Sequence, residues 1–346
     1  MVRFPKHCPA IFTAALAVVA FVGCASPQTT FEPRSDIADS IMTIYTLVIV
    51  LASIVGFAVF VAMAWLLLRF RAKDGVPARQ IHGNNKLEIA WTIAPILVLV
   101  AITLPTLFWI AGTANDQEPD ALEIRAIGHQ WWFEYQYPGI GPDGGPLITA
   151  NELHVPVGRQ VSITLESNDV IHSFWVPQLV GKTDMIPGRI NKLHNFTPNE
   201  IGVFFGQCVE FCGSAHALMR FRVHVDSTAN FNAWVAGFSA PPSTPAAGSA
   251  EARGQAMFAG CSGCHAIAGT AAQGRVGPDL SLFGERLTLA AGVIDNTDSN
   301  LRQWIGDVRS IKTIPELGRF MPTFKGTLSD GEIADIAAYL KSLTLN

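Results

Sequence analysis

Two long stretches of the chain carry no charged residue, and they dominate its hydrophobic pattern. They are residues 41–68 and 89–115, the second of which is interrupted by Pro95 and Pro105. A helix of about twenty apolar residues is enough to cross a bilayer. The pattern therefore predicts a two-helix transmembrane hairpin over residues 36–115. The alternative is a pair of helices buried in a large soluble core.

The segment between these two helices is mainly basic. Its charged residues are Arg69, Arg71, Lys73, Asp74, Arg79, Lys86 and Glu88. Basic loops stay on the cytoplasmic side of a membrane. We therefore expect both ends of the chain to lie on the opposite side, in the periplasm or on the outer face.

Short alternating segments replace the long apolar stretches between residues 122 and 225. Polar and apolar side chains alternate at the period of a strand in residues 152–166 and again in 220–225. Gly and Pro residues mark turns between such segments. Short strands with regular turns predict a β-sandwich, which we place at residues 116–226.

A Pro/Ala-rich stretch at residues 239–248 predicts a semi-extended linker, which we place at 227–249. Beyond it the pattern is helical. Ser329 and Glu332 form a predicted capping box ahead of apolar residues at helical spacing. Residues 250–346 are therefore expected to form a separate helical domain.

The N-terminus has the pattern of a secretory signal. Arg3 and Lys6 precede an apolar run that ends at Cys24, the position where a lipoprotein signal is cut. We assign residues 1–23 to a signal peptide of the lipoprotein type. An ordinary signal peptide or an uncleaved helix is the alternative, and Cys8 has no assigned role.

Composition agrees with a membrane protein and argues against one function class. Hydrophobic residues make up 49% of the chain and charged residues 15%, which is too apolar for an ordinary soluble protein. The formal net charge of -4 gives no reason to expect nucleic acid as a partner. Acidic residues outnumber basic ones in 116–226, a skew that suits either solubility or docking of a basic partner.

Soft metal ligands cluster near the end of the predicted sandwich. Cys208, Cys212, His216 and Met219 lie close in sequence, and His172 on an earlier segment is a candidate second imidazole. One Cys, two His and a weak Met make a mononuclear blue-copper site. A second thiolate allows two copper ions to be bridged, with one His for each. The set predicts a binuclear, mixed-valence centre for electron transfer. The alternative, a disulfide between the two cysteines, leaves the other ligands unexplained.

A second redox motif lies in the helical domain. Cys261, Cys264 and His265 form a C-x-x-C-H haem-attachment motif. The two thiols add to the haem vinyl groups, and the adjacent His takes an axial position on the iron. Met321 is the candidate sixth ligand, with a core methionine as the alternative. His/Met ligation closes both axial positions, which favours electron transfer over oxygen binding.

The remaining histidines are interpreted as structural. His82 falls in the basic loop, and His129 has no assigned role. The other three lie in or beside strand patterns, where we expect them to face solvent or bond to the backbone rather than bind metal. These are His154, His194 and His224.

These motifs resemble subunit II of the haem–copper cytochrome c oxidases, of the type with a cytochrome c domain fused at its C-terminus. The resemblance runs from the first predicted membrane helix to the end of the chain. It also rests on Gly-His-Gln-Trp-Trp-Phe-Glu-Tyr at 128–135 and on the stretches 182–189 and 87–92. The family usually has a second Trp where this chain has Phe133, so Phe133 is assigned no role.

The resemblance implies a cupredoxin-like sandwich, an all-α class I cytochrome c domain and a CuA centre in which both cysteines bridge the two copper ions. The implied ligands are His172, Cys208, the carbonyl of Glu210, Cys212, His216 and Met219. The Glu210 side chain is implied to reach a Mg²⁺ ion at the contact with subunit I, with a solvated loop acid as the alternative. Electrons are implied to enter the copper centre at Trp131, and Glu88 is implied to lie at the mouth of a proton path.

The function implied is that of an electron-input subunit in a bacterial inner (plasma) membrane. Electrons pass from cytochrome c or the bc complex to haem c, then to CuA and to haem a in subunit I. Oxygen is reduced to water in subunit I, coupled to proton translocation, and subunit III is a further implied partner. One rival is a CuA-containing nitric oxide reductase subunit. Another is a non-redox assembly or quinol-oxidase subunit of the same shape.

Overall fold

The structure is a computed structural model that describes residues 26–71, 75, 83–113, 118–141 and 144–345. The predicted signal peptide, Cys8, Cys24 and His82 lie outside these residues. The chain divides into two compact units, one of residues 39–116 and one containing residues 1–38 and 117–346. Each unit is described by itself.

Two long helices make up most of the first unit. Helix α1 spans Asp36–Arg69 and helix α2 spans Asn85–Thr113. Both are long and apolar enough to cross a membrane, and their most apolar windows are not buried inside the protein. Large side chains such as Phe57, Leu67 and Phe108 are exposed along them. The structure therefore contradicts the alternative in which these two helices are buried in a soluble core.

Helix α2 continues through both of its prolines. The sequence indicated an interruption at Pro95 and Pro105, because proline removes a backbone donor and crowds the preceding turn. Proline is nevertheless tolerated in membrane-spanning helices, where neighbouring groups satisfy the freed carbonyls.

The second unit begins with a sandwich of two mixed five-stranded sheets. One sheet has the order β3-β2-β1-β5-β8 and the other β4-β10-β9-β6-β7. The strands of the first sheet are β1 (Leu122–His129), β2 (Trp132–Tyr137), β3 (Leu147–Ala150), β5 (Val161–Ser167) and β8 (Asn191–Lys192). Those of the second are β4 (Glu152–Pro156), β6 (His172–Val176), β7 (Val180–Met185), β9 (Gly202–Cys208) and β10 (Arg220–Asp226). The predicted sandwich is confirmed.

Aromatic rings fill the space between the two sheets. Phe133 and Tyr135 come from β2, while Phe174 and Phe221 come from the opposing sheet, and all four are fully buried. The Phe133 and Phe221 ring centroids lie 4.8 Å apart. Alternation along β1 and β2 places every second side chain in this core. Phe133, which had no assigned role, is therefore a core residue.

The alternating pattern at residues 152–166 is two strands rather than one. Strand β4 ends at Pro156 and β5 begins at Val161, and they belong to different sheets. Gly158 between them has φ of 74°, a left-handed conformation that cannot continue a strand. The turn therefore transfers the chain from one sheet to the other while the hydrophobic period is preserved.

The range assigned to the linker contains a helix, α3, at Thr228–Ser239. Ser227 caps it by accepting a hydrogen bond from the Asn230 amide. Phe231, Trp234 and Phe238 are buried on one face, at helical spacing. Pro/Ala composition correctly indicated irregular structure only in the later part of the predicted linker, where residues 241–246 form neither helix nor strand.

The C-terminal domain is helical, as predicted. Its helices are α4 (Ala250–Phe258), α5 (Asp298–Gly306) and α6 (Asp330–Lys341), and a short pair of strands, β11 (Thr288–Leu289) and β12 (Ile294–Asp295), lies between the first two. The capping box of Ser329 and Glu332 is present at the start of α6. Buried side chains of the three helices share one core.

One buried carboxylate joins this domain to the sandwich. Glu152 is 2% exposed. It accepts hydrogen bonds from the amides of Leu287 and Thr288, at 3.1 and 2.8 Å, and from the Thr288 hydroxyl at 2.8 Å. Its third partner is the His224 ring, 3.0 Å away. The sandwich and the helical domain therefore meet at a satisfied buried charge.

The prediction that His154 and His224 face solvent or bond to the backbone was wrong. Neither ring faces open solvent: His224 bonds to Glu152, and His154 Nδ1 lies 2.8 Å from Asp226 Oδ2. The two rings stack with centroids 4.2 Å apart, and His154 also stacks on Trp234 of α3. Tertiary contacts between strands and helix, which a strand pattern does not encode, brought these polar rings inside.

Electrostatics makes the Glu152 contact dependent on pH. Burial by itself raises the pKa of Glu152, but hydrogen bonds from His224, Thr288 and Leu287 outweigh it and lower the pKa to about 2. An unfolded glutamate has a pKa of about 4.3. The stabilisation is thus fully present above about pH 4.3 and is lost as the pH falls towards the folded value.

We predict that Glu152→Gln lowers the stability of the docked domains by about 2 kcal/mol, because it removes the charge from several buried hydrogen bonds. Calorimetry on the detergent-purified chain should show a lower unfolding temperature at pH 7. Limited proteolysis should show faster cleavage in residues 241–246. The difference between variant and wild type should shrink below pH 4. Glu118→Gln, at an exposed position, is the control. Equal stability of Glu152→Gln and wild type at pH 7 would contradict the contact.

Candidate metal and haem sites

The predicted soft ligands converge on one buried point of the sandwich. The Cys208 and Cys212 sulfurs lie 3.7 Å apart. Cys212 Sγ lies 3.6 Å from His216 Nδ1 and 3.8 Å from Met219 Sδ. Cys208 Sγ lies 4.0 Å from His172 Nδ1 and 3.3 Å from the Glu210 carbonyl oxygen, which completes the set.

The two cysteines are free thiols in the structure. A disulfide requires sulfurs about 2.05 Å apart, far closer than this pair. Separations near 4 Å among five side chains and one carbonyl are those of ligands around a shared centre. The donor set therefore fits two bridged copper ions, whereas the disulfide alternative does not describe this geometry.

Strand pairing brings these ligands together. Cys208 is the last residue of β9, and β10 begins at Arg220 directly after Met219. The Cys208 amide donates to the Met219 carbonyl at 2.9 Å and closes the loop between the strands. His172 begins β6, which pairs with β9 on its other side. Neighbouring strands in one sheet thus place residues distant in sequence around one point.

His172 is held in one orientation. Its Nε2 lies 2.7 Å from Asp169 Oδ1, so Nδ1 is the nitrogen that faces Cys208. A Cβ at Gly128 would lie 2.6 Å from the imidazole, so only glycine lets the ring pack there. A carboxylate on the second nitrogen of a ligating His is the usual means of fixing its orientation and basicity. Asp169 was not predicted, although its i, i+3 spacing to His172 is visible in the sequence.

Local electrostatics favours ionised sulfur. The hydrogen bond shared with Cys212, together with the His172 ring, lowers the pKa of Cys208 to about 4. The same shared hydrogen bond raises the pKa of Cys212. Burial acts to lower the pKa of His172, but Asp169 and Cys208 together raise it. One negative charge on the sulfur pair is therefore favoured without metal, and metal binding would displace the remaining proton.

A cleft in the helical domain contains all four predicted haem-binding residues. Cys261, Cys264, His265 and Met321 line a cleft of about 650 Å³. The rest of its lining is mainly apolar and includes Phe258, Leu280, Ile305, Phe324, Ile336 and Leu340. An apolar cleft with two thiols and two potential axial ligands fits a covalently attached haem.

His265 has the orientation that an axial ligand needs. Its Nδ1 lies 2.8 Å from the Pro278 carbonyl oxygen, which leaves Nε2 for a metal. Burial lowers its pKa, which favours the neutral ring that ligates iron. A Cβ at Gly277 would lie 2.6 Å from the imidazole, so glycine is required there as at Gly128.

A second cleft, of about 780 Å³, lies between the haem-motif residues and the sandwich. His265 and Met321 line it on one side, and Gln130 and Trp131 line it on the other. Trp131 is only 5% exposed, and its indole N–H donates to the Cys212 carbonyl at 3.0 Å. Trp131 therefore lies between this second cleft and the candidate copper centre.

Phe320 contacts Trp131 from the side of the candidate haem site. Its ring meets Trp131 edge to face, with centroids 5.8 Å apart. It is also the residue directly before Met321. Sequence reasoning did not identify Phe320, because its partner lies on a different domain far away in the chain.

Two other predicted site residues lie apart from these clefts. The Glu210 side chain is exposed, although its carbonyl is at the copper site. Glu88 is exposed in the first turn of α2. Their implied roles, in Mg²⁺ binding and in a proton path, stay predictions.

Comparison with known protein families assigns each part of the chain to a family. The family described as cytochrome c oxidase subunit II, periplasmic domain, matches residues 145–226. The transmembrane domain of the same subunit matches residues 14–108, and cytochrome c matches residues 251–344. Cytochrome c oxidase subunit 2 of Alkalihalophilus pseudofirmus is 36% identical over 336 residues, which cover 93% of each chain. The chain belongs to the cytochrome c oxidase subunit 2 family. It is a subunit of an oxidoreductase complex.

One further relative matches nearly the whole chain, and a solved structure matches part of it. Cytochrome c oxidase subunit 2 of Bacillus subtilis is 33% identical over 360 residues, covering 98% of each chain. Among solved structures, the periplasmic domain of subunit II from Bradyrhizobium japonicum is 33% identical. That match covers 34% of this chain and 94% of that one, with a TM-score of 0.32. The similarity to bacterial subunit 2 proteins thus extends through the membrane, copper and haem parts of the chain.

We predict that Asp169→Asn lowers copper affinity about 10- to 100-fold, because the carboxylate that orients His172 is lost. The affinity is measured by competition with a copper chelator on the purified chain. Cys212→Ser should instead abolish the electron paramagnetic resonance pattern of one electron shared by two coppers. Asp120→Asn, at an exposed position of the same domain, is the control. Wild-type affinity in Asp169→Asn would show that the hydrogen bond does not position the ligand.

Proposed function

We propose that this subunit 2 protein is the electron-input subunit of a respiratory cytochrome c oxidase, passing electrons from haem c to CuA and on to haem a in subunit I. When bound, the haem and the copper pair supply reversible one-electron chemistry. The observation that carries the proposal is Trp131, which lines the haem-side cleft and donates a hydrogen bond to Cys212. One buried side chain thus contacts the surroundings of both groups.

For the copper centre we assign Cys208 and Cys212 as bridging thiolates. The other ligands assigned are His172, His216, Met219 and the Glu210 carbonyl. Support comes from the convergence of their donor atoms and from the burial of His172, Met219 and both cysteines. Buried ligands whose loop is closed by strand pairing move little and exclude water, which keeps the ligand geometry similar in both redox states.

For haem c we assign Cys261 and Cys264 as the thioether residues and His265 and Met321 as the axial ligands. The hydrogen bond from His265 to the Pro278 carbonyl holds the ring in place. The apolar lining of the cleft would keep water away from a bound haem. With His265 and Met321 both holding the iron, the haem would supply electron transfer rather than oxygen binding.

The burial of Trp131 has a consequence for the external donor. With 5% of its surface exposed and Phe320 against its ring, Trp131 offers little surface to a soluble partner. We therefore propose that cytochrome c or the bc complex delivers electrons to the haem domain first. Trp131 then receives them from inside the chain, through the side occupied by Phe320 and Met321.

The membrane assignments complete the proposal. Helices α1 and α2 anchor the chain in a bacterial inner membrane, with the copper and haem domains on the periplasmic or outer face and the basic loop in the cytoplasm. Glu88, at the cytoplasmic start of α2, is proposed at the mouth of a proton path in the complex. The exposed Glu210 side chain is proposed to bind Mg²⁺ at the contact with subunit I, and subunit III is a further partner.

The overall activity is tested with the purified complex. Oxygen uptake driven by reduced cytochrome c is the expected result. Consumption of nitric oxide without oxygen uptake would instead assign the chain to a nitric oxide reductase. A complex without copper or haem would exclude both.

We predict one covalent haem per chain. Mass spectrometry of protease fragments should show haem attached to the peptide that contains Cys261 and Cys264. Met321→Ala should open an axial position, so the reduced variant binds carbon monoxide whereas the reduced wild type does not. Met257→Ala, in the same domain outside the haem clefts, is the control. Carbon monoxide binding by the wild type would remove Met321 from the ligand set.

We also predict that Trp131→Leu slows copper reduction by haem c about tenfold, equivalent to about 1.4 kcal/mol of activation free energy. Flash-induced electron injection into the haem, followed at the copper absorption, measures the step. Phe320→Leu should act in the same direction. Trp132→Phe is the matched control, because Trp132 lines the same cleft but stacks on His129. Unchanged rates in Trp131→Leu would mean that electrons take another route.

A further inference from the structure

A buried lysine lies in the cleft between the two candidate redox sites. Lys312 follows the short helical turn Val308–Ser310 and is 2% exposed. It lines the same cleft as His265 and Met321 from the haem domain and Trp131 from the copper domain. Among the described residues that line this cleft and the adjoining haem cleft, it is the only lysine or arginine.

The Lys312 ammonium has no hydrogen-bond or ion-pair partner among the described residues. The charged groups that act on it are Arg220, which repels it, and the Cys212 sulfur, which attracts it when ionised. Burial, followed by the repulsion from Arg220, lowers its pKa to about 7. Burying a cation without a counter-charge is costly. A buried ammonium that lines a cleft and has no partner among the described residues therefore indicates that an anion binds in this cleft when the cofactors are present.

We propose that Lys312 is the counter-ion of a carboxylate side chain of the haem, a propionate, on the side of the haem that faces the copper domain. This inference rests on the proposed haem c at Cys261 and Cys264. The propionates are the anionic groups of a haem, and Lys312 is the cation that the two clefts offer them. An ammonium is a compact point charge with three donors, which suits one carboxylate.

The position gives Lys312 a role beyond binding. A positive charge near the iron favours the reduced haem, which carries one positive charge fewer than the oxidised form. Lys312 lines the same cleft as Trp131, so it contributes a positive potential to both sides of the Trp131 contact. We therefore assign it as a positioning and potential-setting residue for the transfer between the two sites.

The test is a redox titration of haem c in the full-length chain. Lys312→Met, which keeps the length and removes the charge, should shift the reduction equilibrium about tenfold towards the oxidised haem, or about 59 mV for one electron. Lys312→Arg keeps the charge and should shift it less. Lys325→Met, at an exposed lysine of the same domain, should leave it unchanged.

A second measurement identifies the partner. Redox-difference infrared spectra of protein carrying carbon-13-labelled propionates should show carboxylate bands that change in Lys312→Met and stay in place in Lys325→Met. Lys312→Gln serves as a second uncharged variant if the methionine variant folds poorly. Unmoved propionate bands, or a shift confined to the copper potential, would overturn the proposal and assign Lys312 to the copper site.

The two proposals fail in different ways. Absence of covalent haem from the wild type, measured by mass spectrometry, would refute the proposed haem c and with it this inference. One haem per chain with the same potential in wild type and Lys312→Met would refute only the role of Lys312.

Discussion

The pairing of β9 with β10 is the constraint that forms the candidate copper site and positions the haem domain beside it. The two strands run antiparallel from Gly202↔Val225 to Gln207↔Arg220, and the Cys208–Met219 hydrogen bond ends the ladder. The loop between them therefore has fixed ends and returns on itself, so Cys208 and Cys212 face each other and Met219 lies beneath them. A different register would carry the sulfurs to the other face of the sheet, because side chains alternate across a strand.

The same strand pair also fixes where the haem domain sits. Arg220, the first residue of β10, donates its amide to the Ala291 carbonyl, and Arg222 reaches the Gly292 carbonyl. Glu152 on the adjacent β4 binds the amides of Leu287 and Thr288. The haem domain is thus attached along one sheet edge through main-chain groups, which brings Phe320 against Trp131 and places a single indole between the candidate haem and copper sites.

The buried polar groups differ in whether the protein provides them with a hydrogen-bond partner. Glu152, His224 and His172 each have a hydrogen-bond partner of opposite or complementary character, so their burial is compensated. The Cys208–Cys212 pair shares one negative charge among soft ligands, and the His172 ring stabilises that charge. Lys312 has no hydrogen-bond or ion-pair partner among the described residues and places a positive charge in a cleft. Both lie where the chain fits a bound cofactor, whereas the Glu152 contact holds the domains together.

Sequence patterns alone predict the order of the domains and the chemistry of each candidate site. Uncharged apolar stretches identified α1 and α2, because few soluble folds leave so many apolar residues without a charge. Fixed spacing identified the Cys208–Met219 and Cys261–His265 motifs, since both are local in the chain. Other features emerge only from the folded chain: Asp169 behind His172, helix α3 in the predicted linker, the burial of His154 and His224, and the cleft shared by Phe320, Lys312 and Trp131. Apart from the local Asp169–His172 pair and helix α3, these contacts join residues far apart in sequence, and strand pairing and domain docking create them, neither of which a local pattern encodes.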